Sequence, residues 1–315
     1  RLCRDWSSDV CSSDLDQLLA VIYDTGLSPE DKWQLMSKYW DAASNTAYCR
    51  CIERAIADLY GCPGLNGDTV AGLSAAMAAN RRPGYYRSVF DRAGIERAMW
   101  HRLTLTQRPP LAYAPDYDRD LFVADIVGND FVEPRAADKY EKYTGKVGPS
   151  NVEQDRAAWL AAWELREGRD FDTFESYLAM SEAFLARYAE EADALKFNLA
   201  YSREILFTER PASEIRPIYG RMRRGLAVSE DEFRAFQDYV VHYLVRLCGE
   251  CGLVVKFHTG LQEGNGNLLA NARPILLNNL FLQYPRVRFD LFHLGYPYHE
   301  EAGILAKVFP NVYAD

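Results

Sequence analysis

Nowhere does the 315-residue chain hold an apolar run approaching the roughly 20 residues that a helix needs to cross a bilayer. Its first residues show no charged segment leading into an apolar stretch. Both absences point to a cytoplasmic protein with no membrane partner. Basic clusters are as scarce: the longest is Arg221-Met222-Arg223-Arg224, and the formal net charge is -9. A surface that tracks phosphates needs the opposite, so nucleic acid is not an expected partner. The seven cysteines are odd in number and spread along a long chain, which excludes a secreted disulfide framework. Cys248 and Cys251 have redox or zinc spacing, but no second such pair exists. They fall on the last turn of a helix running into Gly252, and read as half-buried thiols at a helix end. No glycine-rich phosphate loop follows any strand-like run, which argues against a doubly wound nucleotide-binding sheet. Histidine is sparse too, at five residues, so two histidines in equivalent positions carry weight.

What is present is ordinary for a soluble globular chain: 48% hydrophobic and 26% charged residues, enough for one large domain or two smaller ones. The first fifteen residues, RLCRDWSSDVCSSDL, differ. They have no hydrophobic period, are rich in Ser and Asp, and resemble a translated sequencing adapter. Residues 1–15 are therefore expected to pack against little and to form no strand, the natural start lying upstream of Asp16. From Ser28 a helix start is written plainly, with Ser28 as N-cap, Pro29 at the first helical position and Asp31 three residues on. Helices dominate 16–93, read as a helical region inserted after a first strand.

From 94 to 315 apolar runs alternate with amphipathic stretches. Strand-like runs lie at 94–103, 119–128, 194–201, 253–258, 287–293 and in the closing NVYAD; helices are expected at 151–167, 170–193, 268–284 and 299–309. A further helix opens at Ser229 with Glu232 as a capping box and carries Phe233, Phe236, Val240, Tyr243, Leu244 and Leu247 on one face. Strand and helix alternate with no hairpin signal between them, so the sheet should be parallel. The predicted fold class is α/β, a (β/α)8 TIM-type barrel that is incomplete, holding strands two to about seven, with the helical insertion at its N-terminal side.

Side chains alternate along a strand, so faces can be assigned by parity. Lys196 and Asn198 share a face, as do Lys256 and His258, and as do Val287, Phe289, Leu291 and His293. His258 and His293 each close a strand and precede a glycine-containing loop, Thr259-Gly260 and Leu294-Gly295. That is the end where barrel enzymes keep their active sites. Neutral imidazoles on rigid neighbouring supports are what a divalent metal requires. Tyr201 and Arg203 follow the third run and could hold a substrate carboxylate, Arg203 by a bidentate contact. Gln262 and Glu263, in the loop after His258, are candidates for substrate contact. His299 reads as a helix-start residue, and His242 and His101 as structural.

The segments KFNLAYSREILF, VVKFHTGLQEG and LFHLGYPYHEEAGILAKVFPNVYAD resemble the fourth, fifth and sixth strand regions of the amidohydrolase superfamily, in its amidohydrolase-related branch. That branch includes a domain fused to some glutamine synthetases, and its relatives include decarboxylases and uronate isomerases. The likeness continues more weakly back to about Leu15. It implies that His258 is a metal ligand and that His293 is a ligand or a catalytic residue. It aligns Lys196 with a lysine that is carbamylated in two-metal members and that could instead meet substrate as a free amine. The first-strand His-x-His and the eighth-strand aspartate of the superfamily have no counterpart, as truncation at both ends would produce.

The resemblance implies a metal-dependent hydrolase, cutting C–N or C–O bonds of a small polar substrate or removing a carboxylate, with zinc or manganese as cofactor. A uronate or sugar-acid isomerase on the same barrel is the first alternative, and a non-catalytic binding barrel the second. The 315-residue chain is expected to be inactive by itself, and a homo-oligomer is left open.

Overall fold

The computed structural model describes residues 20–103, 118–133, 152–262 and 267–315. Residues 1–15 lie outside them, as do Glu263 and the side chain of His101. The chain divides into two compact units between Glu96 and Arg97.

The first unit is helical, with α1 (Pro29–Ala43), α2 (Ala47–Tyr60), α3 (Val70–Ala79) and α4 (Tyr85–Ala93). Ser28 caps α1 as its sequence indicates, its hydroxyl accepting the Asp31 N–H. Among the described residues of this unit, Cys49, Ile56 and Leu73 are buried.

Among the described residues the second unit is a six-stranded, all-parallel sheet in the order β1-β2-β3-β4-β5-β6, formed by β1 (Ala98–Leu103), β2 (Phe122–Val127), β3 (Ala192–Phe197), β4 (Val254–Phe257), β5 (Phe289–Leu291) and β6 (Val312–Ala314). Between the strands run α5 (Val152–Glu167), α6 (Phe174–Tyr188), α7 (Ala212–Arg223), α8 (Glu230–Cys251), α9 (Asn278–Gln283) and α10 (His299–Val308). The strand order never reverses, which excludes a doubly wound sheet, since that fold needs a switch point. It is the curled parallel arc of an α/β TIM-type barrel.

Register fixes the two faces. Lys196 pairs with Lys256, and Lys256 with Asp290, so these three share the inner face of the arc. The alternate residues Leu195, Phe197, Val255, Phe257, Phe289 and Leu291 are fully buried in the apolar core on the other face. Phe197 stacks on Phe257 at 5.2 Å there. A cluster of aromatic rings from α5 to α8 extends this core, and Trp159 and Trp163 both donate their indole N–H to the Asp130 carbonyl at 2.8 Å.

Several boundaries differ from the sequence expectation. The helix placed over 170–193 begins only at Phe174, where Thr173 and Ser176 form the capping box, and it ends at Tyr188. The helix placed over 268–284 is two 3-10 turns, Leu269–Ala272 and Pro274–Leu277, followed by α9. Pro274 lacks an N–H and pushes Arg273 to an extended conformation, which breaks the run. Helix α7 escaped notice because Pro211 and Pro217 punctuate it. Helix α8 keeps its Ser229–Glu232 capping box and ends at the left-handed Gly252, with Cys248 buried and Cys251 exposed.

Candidate metal and substrate site

The C-terminal ends of β3, β4 and β5 lie side by side and carry the candidate residues. His258 follows directly on β4, is buried, and its ring centroid lies 4.7 Å from that of His293, edge to face. Tyr201, in the short 3-10 turn after β3, places its ring 4.7 Å from His258 on another side. The His258 Nε2 is 2.7 Å from the Leu261 carbonyl. A carbonyl can only accept, so Nε2 carries the proton and Nδ1 is left with its lone pair. Burial above all pushes the His258 pKa down to about 4, with Lys196 and His293 adding to the effect, so the ring is neutral at pH 7.

His293 arrives by a route that parity misses. Strand β5 ends at Leu291, whose side chain faces the apolar core, so simple alternation would have turned residue 293 the same way. Instead His293 and Leu294 both take left-handed backbone, φ 64° and φ 49°, and the turn brings the ring to the mouth. Such a conformation costs about 1–2 kcal/mol for each non-glycine residue, and is held here by two bonds to Asp315. The residue of β5 on the inner face is Asp290, not a member of the Val287, Phe289, Leu291 row.

Gly260 explains why the loop after His258 carries a glycine. Its φ is +66°, and a Cβ there would sit 2.3 Å from the Tyr296 carbonyl oxygen. The loops after β4 and β5 therefore touch backbone to backbone, which sets the approach of the two histidines. Thr259 adds a tie, its hydroxyl donating to the Phe292 carbonyl at 2.7 Å.

Below the histidines the inner face is charged. Lys196 is buried, its ammonium 3.3 Å from the centre of the Phe292 ring. Burial chiefly lowers its pKa to about 8, against the pull of Asp125. Lys256 stands 3.5 Å from the Asp125 carboxylate, an ion pair without hydrogen-bond geometry, and burial raises the Asp125 pKa to about 6. The Asp290 carboxyl is also pushed up, first by burial and then by Asp315. Sequence reasoning passed over Asp125, Asp290 and Asp315 as site residues and noted Lys256 only for its face. The available signal was a lone charge inside the apolar runs FVADIV, VVKF and FDL.

Arg203 is a correction. It is buried, and all five of its N–H groups are taken: Nε by the Glu204 carbonyl, one terminal nitrogen by the Arg234 carbonyl and Gln237, the other by the Leu206 carbonyl and Asp238 at 2.7 Å. No donor remains for a substrate carboxylate, and the side chain serves to tie the loop after β3 to α8. Gln262 is placed differently. Its Nε2 donates to the Ala200 carbonyl at 2.6 Å, which fixes the amide orientation, and its buried Oε1 has no hydrogen-bond partner. His242 is structural, as its place in mid-helix suggests, with Nδ1 at the Tyr284 hydroxyl and Nε2 at the Phe207 carbonyl. His299 opens α10.

Among the described residues no group of three or more His, Cys, Asp or Glu side chains is arranged to hold a metal. The two imidazoles nevertheless suit a divalent ion as part of a ligand set: His258 is neutral, its tautomer fixed by the Leu261 carbonyl in the way a hydrogen-bond acceptor behind the ring fixes ligand histidines, and His293 stands beside it.

Comparison with known proteins bears on the same region. Residues 181–315 match the profile of the amidohydrolase family. Over 61 residues the chain is 51% identical to Protein fluG of Emericella nidulans, a stretch amounting to 19% of this chain and 7% of that protein. Among solved structures, a uronate isomerase from Thermotoga maritima superposes with a TM-score of 0.68 at 12% identity, covering 97% of this chain and 68% of that one. A glucuronate isomerase from Caulobacter crescentus gives 0.65 at 14%, covering 95% and 66%. A protein from Lactobacillus casei assigned as a metal-dependent hydrolase gives 0.57 at 16%, covering 95% and 68%. At such identities these likenesses establish the fold. No described helix is long and apolar enough to cross a membrane.

Proposed function

We propose, from the match of residues 181–315 to the amidohydrolase family profile, that the protein is a metal-dependent hydrolase that cuts a C–N or C–O bond of a small polar substrate, or removes its carboxylate, at the mouth formed by β3, β4 and β5. The observation that carries this reading is the neutral, tautomer-fixed His258 with His293 at 4.7 Å, on the C-terminal side of adjacent parallel strands. A zinc or manganese ion held by these two side chains would polarise a carbonyl and acidify water. His258 presents a lone pair without first losing a proton. Lys196, with its pKa near 8, has a substantial neutral fraction just above neutral pH, so it can act as an amine or, while charged, meet a negative group. Tyr201 flanks His258, and the Gln262 Oε1 accepts an N–H or O–H from substrate.

Hydrolytic ions commonly have three protein ligands, and this reading supplies two among the described residues. The 315-residue chain by itself is therefore expected to hold metal weakly and to turn over little. The compartment proposed is the cytoplasm. The second reading, a uronate isomerase, is favoured by the two isomerase structures among the neighbours. Purified full-length protein loaded with Zn(II) or Mn(II) and offered amides, lactones, aryl carboxylates and uronates separates the two. Metal-dependent hydrolysis or decarboxylation that disappears in His258→Ala supports the hydrolase. Interconversion of aldose and ketose uronates without hydrolysis overturns it in favour of the isomerase.

A further inference from the structure

Among the described residues, His293 and Leu294 are the non-glycine positions with left-handed backbone, and they are consecutive. Both of their amides end on one residue. The His293 N–H donates to the Asp315 carboxylate at 3.0 Å, and the Leu294 N–H donates to the Asp315 main-chain carbonyl at 2.7 Å. Asp315 is itself tied back, its own N–H reaching the Leu291 carbonyl at 3.3 Å. The last residue of β5, the two left-handed residues and Asp315 just past β6 thus form one closed loop of bonds.

We propose that Asp315 is the positioning residue of His293, holding the left-handed turn that keeps the imidazole against His258. Chain geometry makes the device necessary. Alternation along β5 sends Leu291 to the apolar core, and an extended continuation would carry residue 293 to that same face, away from His258. Left-handed backbone reverses that outcome, but it is costly for any residue with a side chain, and here both amides are held. Glycine would have relieved the strain at 293 but would carry no imidazole. The carboxylate also fits the charge around it, since it lies near enough to Lys196 to be felt there.

The inference rests on the metal reading of the site only for what the ring is positioned to do, and the test separates the two. In the full chain, long-range ¹H–¹⁵N spectra of the imidazoles are recorded without metal for wild type, Asp315→Ala and Asp315→Asn, followed by Zn(II) titration of each. In Asp315→Ala the His293 signals, and those of His258 against it, should move, and Zn(II) affinity should fall at least tenfold. The His242 signals, held by Tyr284 and Phe207 elsewhere, should stay in place and report an intact fold. Asp315→Asn keeps an acceptor oxygen and should restore most of both readouts. If Asp315→Ala does not fold, Asp315→Ser, a shorter acceptor with the same main-chain bond, should give an intermediate displacement. A folded Asp315→Ala or Asp315→Ser protein with unmoved His293 and His258 signals overturns the proposal. Displaced signals in a protein whose wild type binds no Zn(II) support the positioning role and remove the metal reading instead.

Discussion

At the scale of single residues, burial decides what each polar group can do. Arg203 and Asp238 are both buried and joined at 2.7 Å, so cutting Arg203 back strands a carboxylate in the core. Arg203→Met is expected to destabilise by about 3–5 kcal/mol, measured by urea unfolding, with any activity loss following the unfolded fraction. A folded variant with normal stability and a raised KM would return Arg203 to the substrate. His258 gives a pH signature. Its folded pKa, about 4, lies below the unfolded value near 6.5, so its contribution to stability is fully present above pH 6.5 and is lost as pH falls toward 4, on the order of 3 kcal/mol in all. Asp125 runs the other way: its folded pKa of about 6 exceeds the unfolded value, so its contribution is present below pH 4 and is lost as pH rises through 6. The two offset each other in the wild type. The comparison to make is His258→Gln against wild type, which should remove the stability loss between pH 6.5 and 4 and leave the Asp125 trend exposed.

At the scale of elements, the site depends on two loops meeting. Gly260→Ala places a methyl 2.3 Å from the Tyr296 carbonyl oxygen at a residue with φ +66°, so the loops after β4 and β5 must separate. A loss of roughly 2–4 kcal/mol and weaker Zn(II) binding are expected, read by thermal melting and titration; a melting temperature equal to wild type would show that the loops do not depend on this contact. Helix α8 tests a humbler feature. Ser229→Ala removes one arm of the capping box and should cost about 1 kcal/mol without moving the histidine signals. Elements such as α8 and β4 could be read from sequence because cap, amphipathic face and apolar run agree with one another. His293 could be placed near the mouth but not explained, because a left-handed turn held by Asp315 is a contact 22 residues away and leaves no local pattern. Arg203 misled for a related reason: a guanidinium after a strand looks alike whether its acceptors are substrate oxygens or the carbonyls of its own loop.

At the scale of the molecule, the described part of the sheet is an arc with β1 and β6 at its edges. Strand β6 pairs on one side with β5, and exposed Tyr313, Ile304 and Val308 lie on it and on the neighbouring α10. Edges of this kind recruit other strands. Sedimentation of the 315-residue chain at rising concentration should show an average mass above 35.9 kDa, and Tyr313→Lys should lower it; a monomer at every concentration would show the edge to be protected. The strictly sequential strand order has a different consequence, one for biosynthesis. Each strand from β2 onward pairs with the one the ribosome has just finished, so every new βα segment meets a partner already waiting, and the sheet can grow in the direction of translation without any strand being held back for a later arrival. In that order the contact between Asp315 and the turn at His293 forms after β4 has paired with β5. The mouth of the site is thus completed only after the strands on which its two histidines stand have left the exit tunnel.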